Sequence, residues 1–120
     1  MNPLNLSGGA PELGVGFNDS LGEVVQRKLH DAHVVKALNS ITCSQMINPQ
    51  FEEGTADMLI AGNDVSAKSE VTEFLSELGW RVIDMGDISE SRLLEPFAMI
   101  WIKYAIKNAT GSHGFSLLRK

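Results

Sequence analysis

At 120 residues the chain has the length of one domain and can bury about two-thirds of its unfolded surface, so a core needs no disulfide or metal staple. A net charge of −5 and a pI near 5.1 argue against a nucleic-acid groove or an anionic membrane surface, both of which want a basic face. Cys43 stands alone, which excludes an intramolecular disulfide and fits a reducing cytoplasm, and no run reaches the roughly 18 apolar residues of a membrane span.

Residues 1–19 read as a loop rich in Gly, Asn and Pro, with no basic or apolar leader at Met1 to Asn5 that would mark a signal peptide. Ser20 and Glu23 form an S-x-x-E capping box that starts a helix with Leu21, Val24, Val25 and Leu29 on its apolar face. The run 32–39 (Ala-His-Val-Val-Lys-Ala-Leu-Asn) reads as a buried strand. Residues 40–56 are irregular, with one helical turn near Ser44 to Ile47. Asp57 to Ala61 is a second strand, and Asp64 or Ser66 caps a helix that ends at Gly79. Trp80 to Asp84 is a third strand. The last helix runs from about Glu90 to Asn108, kinked or broken at Pro96, and a flexible tail occupies 109–120. The strand–helix–strand unit 58–84 favours a parallel, right-handed connection. The fold class is therefore α/β: a partial Rossmann-like sheet of about three strands, mostly parallel, flanked by helices, with an apolar C-terminal helix. The domain is 1–108.

Gly14 to Ser20 precedes a helix start and invites a phosphate-binding reading. The position that a dinucleotide fingerprint gives to its third glycine holds Asp19, and no apolar strand leads in, so a plain connector is the better account. His30, His33 and His113, with Asp31 and Cys43, lack the spacing of a metal site. Lys36 and Asn39, Asn63 and Asp64, and Asp84, Gly86 and Asp87 close the three strands, where open α/β sheets place ligands. The same residue types also simply make turns. The last helix is apolar almost all round, and Leu94, Phe97, Trp101, Ile102 and Tyr104 are candidates for a partner interface.

Several segments occur in an order that resembles the second half of the deazaflavin-dependent NADP oxidoreductases and, more distantly, the STEAP-type metalloreductase domains. They are residues 2–5 (Asn-Pro-Leu-Asn), the capped helix, 34–39, 61–64, 84–86 and 91–96 (Ser-Arg-Leu-Leu-Glu-Pro). Leu38 stands where that family usually has Phe. The resemblance implies that Asn2, Pro3 and Leu4 lie beside the nicotinamide of NADP(H), with Lys36 and Asn39 near the same pocket. It also implies a flavin or deazaflavin acceptor and a terminal helix that helps form a homodimer. The family opens with a G-x-G-x-x-G cradle for the pyrophosphate. Here that half is expected to be missing, so that NADP(H) binding by this chain alone is weak or absent, and another chain supplies the dinucleotide-binding half. Two rival expectations are a non-catalytic dimerisation module of the same ancestry and an unrelated small α/β binding domain.

Overall fold

The computed structural model describes residues 2–5 and 10–120. Within the N-terminal stretch expected to be loop, β1 (Leu4–Asn5) and β2 (Glu12–Leu13) pair antiparallel, Leu4 opposite Leu13 and Asn5 opposite Glu12. The helix α1 (Leu21–Lys28) follows its cap at Ser20, whose hydroxyl accepts from Glu23 N–H. The capping box is only half realised. Ser20 N–H donates to Asp19 at 2.9 Å, and the Glu23 carboxylate takes Ser20 Oγ and the Arg92 guanidinium instead.

The main sheet holds β3 (Val35–Lys36), β4 (Asp57–Gly62) and β5 (Arg81–Asp84) in the order β3-β4-β5. Between β4 and β5 lies α2 (Val65–Glu77), and the two strands run parallel with Met58 opposite Val82 and Leu59 opposite Ile83. That is what a crossover helix demands. The strand β3 is much shorter than its apolar run and is antiparallel to β4, Val35 facing Gly62 and Lys36 facing Ala61. Its connection to β4 carries one 3₁₀ turn, Cys43–Gln45, and no crossover helix, so nothing forces parallel pairing.

Asp64 caps α2, accepting from Ala67 N–H at 2.7 Å, and Gly79, at φ +95°, makes the left-handed turn that ends it. The core lies between the sheet and α2 and is built from Ile41, Ala56, Met58, Ile60, Leu75 and Trp80. A 3₁₀ turn, Ile88–Glu90, leads into α3 (Ser91–Asn108), which runs through Pro96 as one helix rather than two. The proline removes a single backbone donor near the helix start, and Leu94, Glu95 and Ala98 beside it are buried. Residues 109–120 pack back: Asp57 N–H donates to Phe115 O, Leu117 N–H donates to the Asp57 carboxylate, and His113 stacks on Trp101.

Candidate functional site

The antiparallel direction of β3 separates the strand ends that the sequence grouped together. The ends of β4 and β5 share one edge, where Asn63 accepts from Ile88 N–H, Lys68 bridges Asp84 and the Gly86 carbonyl, and Asp87 caps the 3₁₀ turn. Burial works against the Asp84 carboxylate, yet Lys68 and the Gly86 N–H hold it below its usual range. At this edge Asn, Asp and Gly are turn-makers with their polar groups already engaged. Lys36 and Asn39 lie elsewhere, against α1 and the start of α3.

There the structure gathers residues from four stretches of chain. Glu95 is 1% exposed, and its carboxylate accepts from Leu21 N–H and Gly22 N–H at 3.0 Å each and from Lys36 Nζ at 2.9 Å. Lys36 is itself only 7% exposed. The side-chain amide of Asn39 donates to Leu94 O at 2.6 Å, and the Asn39 carbonyl accepts from Asn2 Nδ2 at 3.0 Å. Between Lys36 and Asn39, Leu38 sits at φ +53°, a left-handed conformation that costs a branched residue on the order of 1–2 kcal/mol. Pro3 O accepts from Gly14 N–H, fixing the hairpin beside Asn2, and Leu4 lies in β1. Among the described residues, the buried Asn2 Oδ1 and Asn39 Oδ1 have no hydrogen-bond donor.

The start of α1 is closed as an anion site. Its first N–H groups are taken by Glu95 (Leu21 and Gly22), by Ser20 Oγ (Glu23) and by Ser20 O (Val24). Arg92 beside Glu23 holds that carboxyl below its usual range, and Arg27 does the same for Asp19, so two carboxylates flank the turn. A pyrophosphate does not fit there. At the start of α2, Asp64 takes the Ala67 N–H.

The five proposed interface residues divide. Leu94 is 1% exposed and faces the chain's own interior. Phe97 rests on Phe115, and Trp101 and Tyr104 both contact the His113 ring. Ile102 is half-buried. Exposed apolar surface on α3 comes from Leu93, Ile100, Tyr104 and Ile106. His30 pairs with Asp31 and His33 approaches Asp64, and among the described residues no set of three His, Cys, Asp or Glu is gathered for a metal. No helix of the described residues is long and apolar enough to cross a membrane.

Glu95 escaped the sequence reading. The available signal was a lone acid inside Leu93-Leu94-Glu95-Pro96-Phe97 and a lone base inside Val34-Val35-Lys36-Ala37-Leu38. Two opposite charges stranded in apolar runs have few ways to be buried except against each other.

An α/β unit that assembles these segments has solved counterparts. A putative F420-dependent NADP reductase from Arthrobacter is 39% identical with a TM-score of 0.92, over 98% of this chain and 55% of its own. A hypothetical protein from Sinorhizobium meliloti matches at 25% identity and a TM-score of 0.60, over 75% of this chain and 44% of its own. Among curated proteins, the F420-dependent NADP reductase of Methanocaldococcus jannaschii is 29% identical over 82% of this chain and 44% of the relative. No family model matches. The chain is thus similar to F420-dependent NADP reductases, the resemblance its motifs suggested, and it spans about half the length of the proteins it matches.

Proposed function

We propose that the chain forms the nicotinamide-end half of an NADP(H)-dependent oxidoreductase that passes hydride to a flavin or deazaflavin acceptor, in the cytoplasm. The observation that carries this reading is the hydrogen-bonded line from Asn2 through Asn39 to Leu94, set beside the buried Lys36–Glu95 pair. It joins residues that the resemblance assigns to one redox pocket and that stand far apart in sequence. The fit to the cofactor is one-sided. Two buried amide oxygens without donors suit an N–H donor such as the nicotinamide carboxamide. The closed start of α1 leaves no place for the phosphates, which on this reading are held by a dinucleotide-binding half beyond the described residues.

In this scheme Asn2 and Asn39 orient the carboxamide, Pro3 and Leu4 wall the ring, and the closed interior around Lys36 keeps water out. The bound nicotinamide supplies the hydride, and the contribution of the protein is position. The test follows NADPH oxidation with a flavin or F420 as acceptor, using the chain alone and mixed with a polypeptide carrying a strand–G-x-G-x-x-G–helix unit. Transfer is expected only in the mixture. Tight NADPH binding by the chain alone would contradict the placement of the phosphates, and no transfer in a mixture that does bind NADPH would sink the reading.

A second reading is favoured by the exposed Leu93, Ile100 and Tyr104, which lie on one face of α3. A non-catalytic module would use this face to pair with a second copy. Sedimentation decides it. A dimer that Leu93→Asp and Ile100→Asp convert to monomer supports pairing, and a strict monomer removes it.

A further inference from the structure

We infer that Glu95, together with the carbonyl of Leu94, is the positioning element of the Asn2/Lys36/Asn39 pocket. The inference rests on the pocket reading above for its meaning, while the geometry is independent of it. One carboxylate receives the first two N–H groups of α1 and the ammonium of Lys36, and the adjacent carbonyl receives Asn39, which in turn receives Asn2. Two successive residues of α3 thereby fix the entry segment, the start of α1 and the end of β3 against one another.

A cap on α1 alone would not need this arrangement. Ser20 already caps that helix, and an exposed carboxylate at its first turn would serve equally well. Removing two charges from water is unfavourable, and a buried ion pair often contributes no more stability than apolar side chains of the same volume. What a buried ion pair adds is a fixed location for its two charges. Here the fixed charge lies two residues from Leu38, whose left-handed backbone persists only where neighbours over-determine it. Glu95 holds one side of that turn, through Lys36, and Leu94 O holds the other, through Asn39. The close approach of α1 to α3 gives the mount its stiffness, since a Cβ at Gly22 would lie 2.4 Å from Ser91 Oγ.

The experiment uses Glu95→Gln, Lys36→Met and the double variant. Gln retains an acceptor for one of the two α1 N–H groups and loses the charge that holds Lys36. Side-chain amide resonances of Asn2 and Asn39 are recorded by NMR on the chain itself, and NADPH turnover is measured in the mixture described above. Both single variants are expected to shift the two Asn amides, and Glu95→Gln is expected to add little in the Lys36→Met background. A pocket displaced by an ångström should lose turnover about 100-fold, with a much smaller change in KM. Should Glu95→Gln fail to fold, Lys36→Met alone still tests the claim. Asn amides unmoved in a folded variant would reduce Glu95 to a helix cap and overturn the inference. Shifted amides with unchanged turnover would leave the positioning in place and remove the redox pocket, so the two failures are distinguishable.

Discussion

Glu95 and Asp57 do similar things at two different places in the molecule. Each is a carboxylate that accepts backbone N–H groups from a distant segment and closes on a cation: Leu21, Gly22 and Lys36 for Glu95, Leu117 and Arg81 for Asp57. The surroundings differ sharply. The Lys36 side chain is 7% exposed, whereas that of Arg81 is 51% exposed. Water therefore screens the second cluster and not the first. The comparison teaches that a list of contacts does not rank interactions, because the solvent around the cation decides how much is lost when one partner is removed.

The largest expected effect breaks the buried cluster. Glu95→Ala removes the carboxylate that faces the buried Lys36 ammonium and accepts the first two N–H groups of α1, and should destabilise the fold by about 3–5 kcal/mol in urea unfolding. Glu95→Gln combined with Lys36→Met, which keeps one acceptor for the α1 N–H groups, should restore part of that loss, and a double variant as unstable as Glu95→Ala would mean that the pair itself stabilises the fold. Next comes Gly22→Ala, which forces a Cβ into Ser91 and should cost about 1–3 kcal/mol.

Asp57→Asn should cost less, about 1 kcal/mol, and should loosen the tail, read as faster amide exchange at Leu117. The sign with pH follows from the same contact. The hydrogen-bonded Arg81 guanidinium holds the Asp57 carboxyl below its usual range, outweighing its burial. Its stabilisation is present above the ordinary aspartate range and is lost as pH falls through the lowered folded value. Tail protection in the wild type should therefore decline in acid, and in Asp57→Asn it should be flat over the same interval. The smallest change is a gain. Ala109 ends α3 at φ +48°, so Ala109→Gly should stabilise by about 1 kcal/mol without touching either cluster.

The parts legible in the sequence are those governed by neighbours along the chain. Ser20 and Asp64 announced their helices, the apolar run before Gly62 announced β4, and the intervening helix made β5 parallel. The direction of β3 was not legible, because the loop that follows it imposes no handedness. Nor was the hairpin of β1 and β2, whose four residues carry no alternating apolar pattern. In the candidate site, Asn2, Lys36 and Asn39 could be named from the family resemblance, but the residue that gathers them could not. Glu95 lies 59 positions from Lys36, and no local rule links a helix interior to a strand so remote. The docking of 113–117 is equally non-local, resting on Asp57 and on ring contacts with α3.

The two indoles of the chain stand in unlike settings. Trp80 is sealed in the core with its N–H on Met46 O, while Trp101 lies flat against the His113 ring, 4.3 Å between centroids. The protein thus carries two built-in fluorophores. Emission from Trp101 reports whether the C-terminal strand of chain is seated, and emission from Trp80 reports whether the interior has melted, so a single spectrum followed through denaturation separates the two events without any added label.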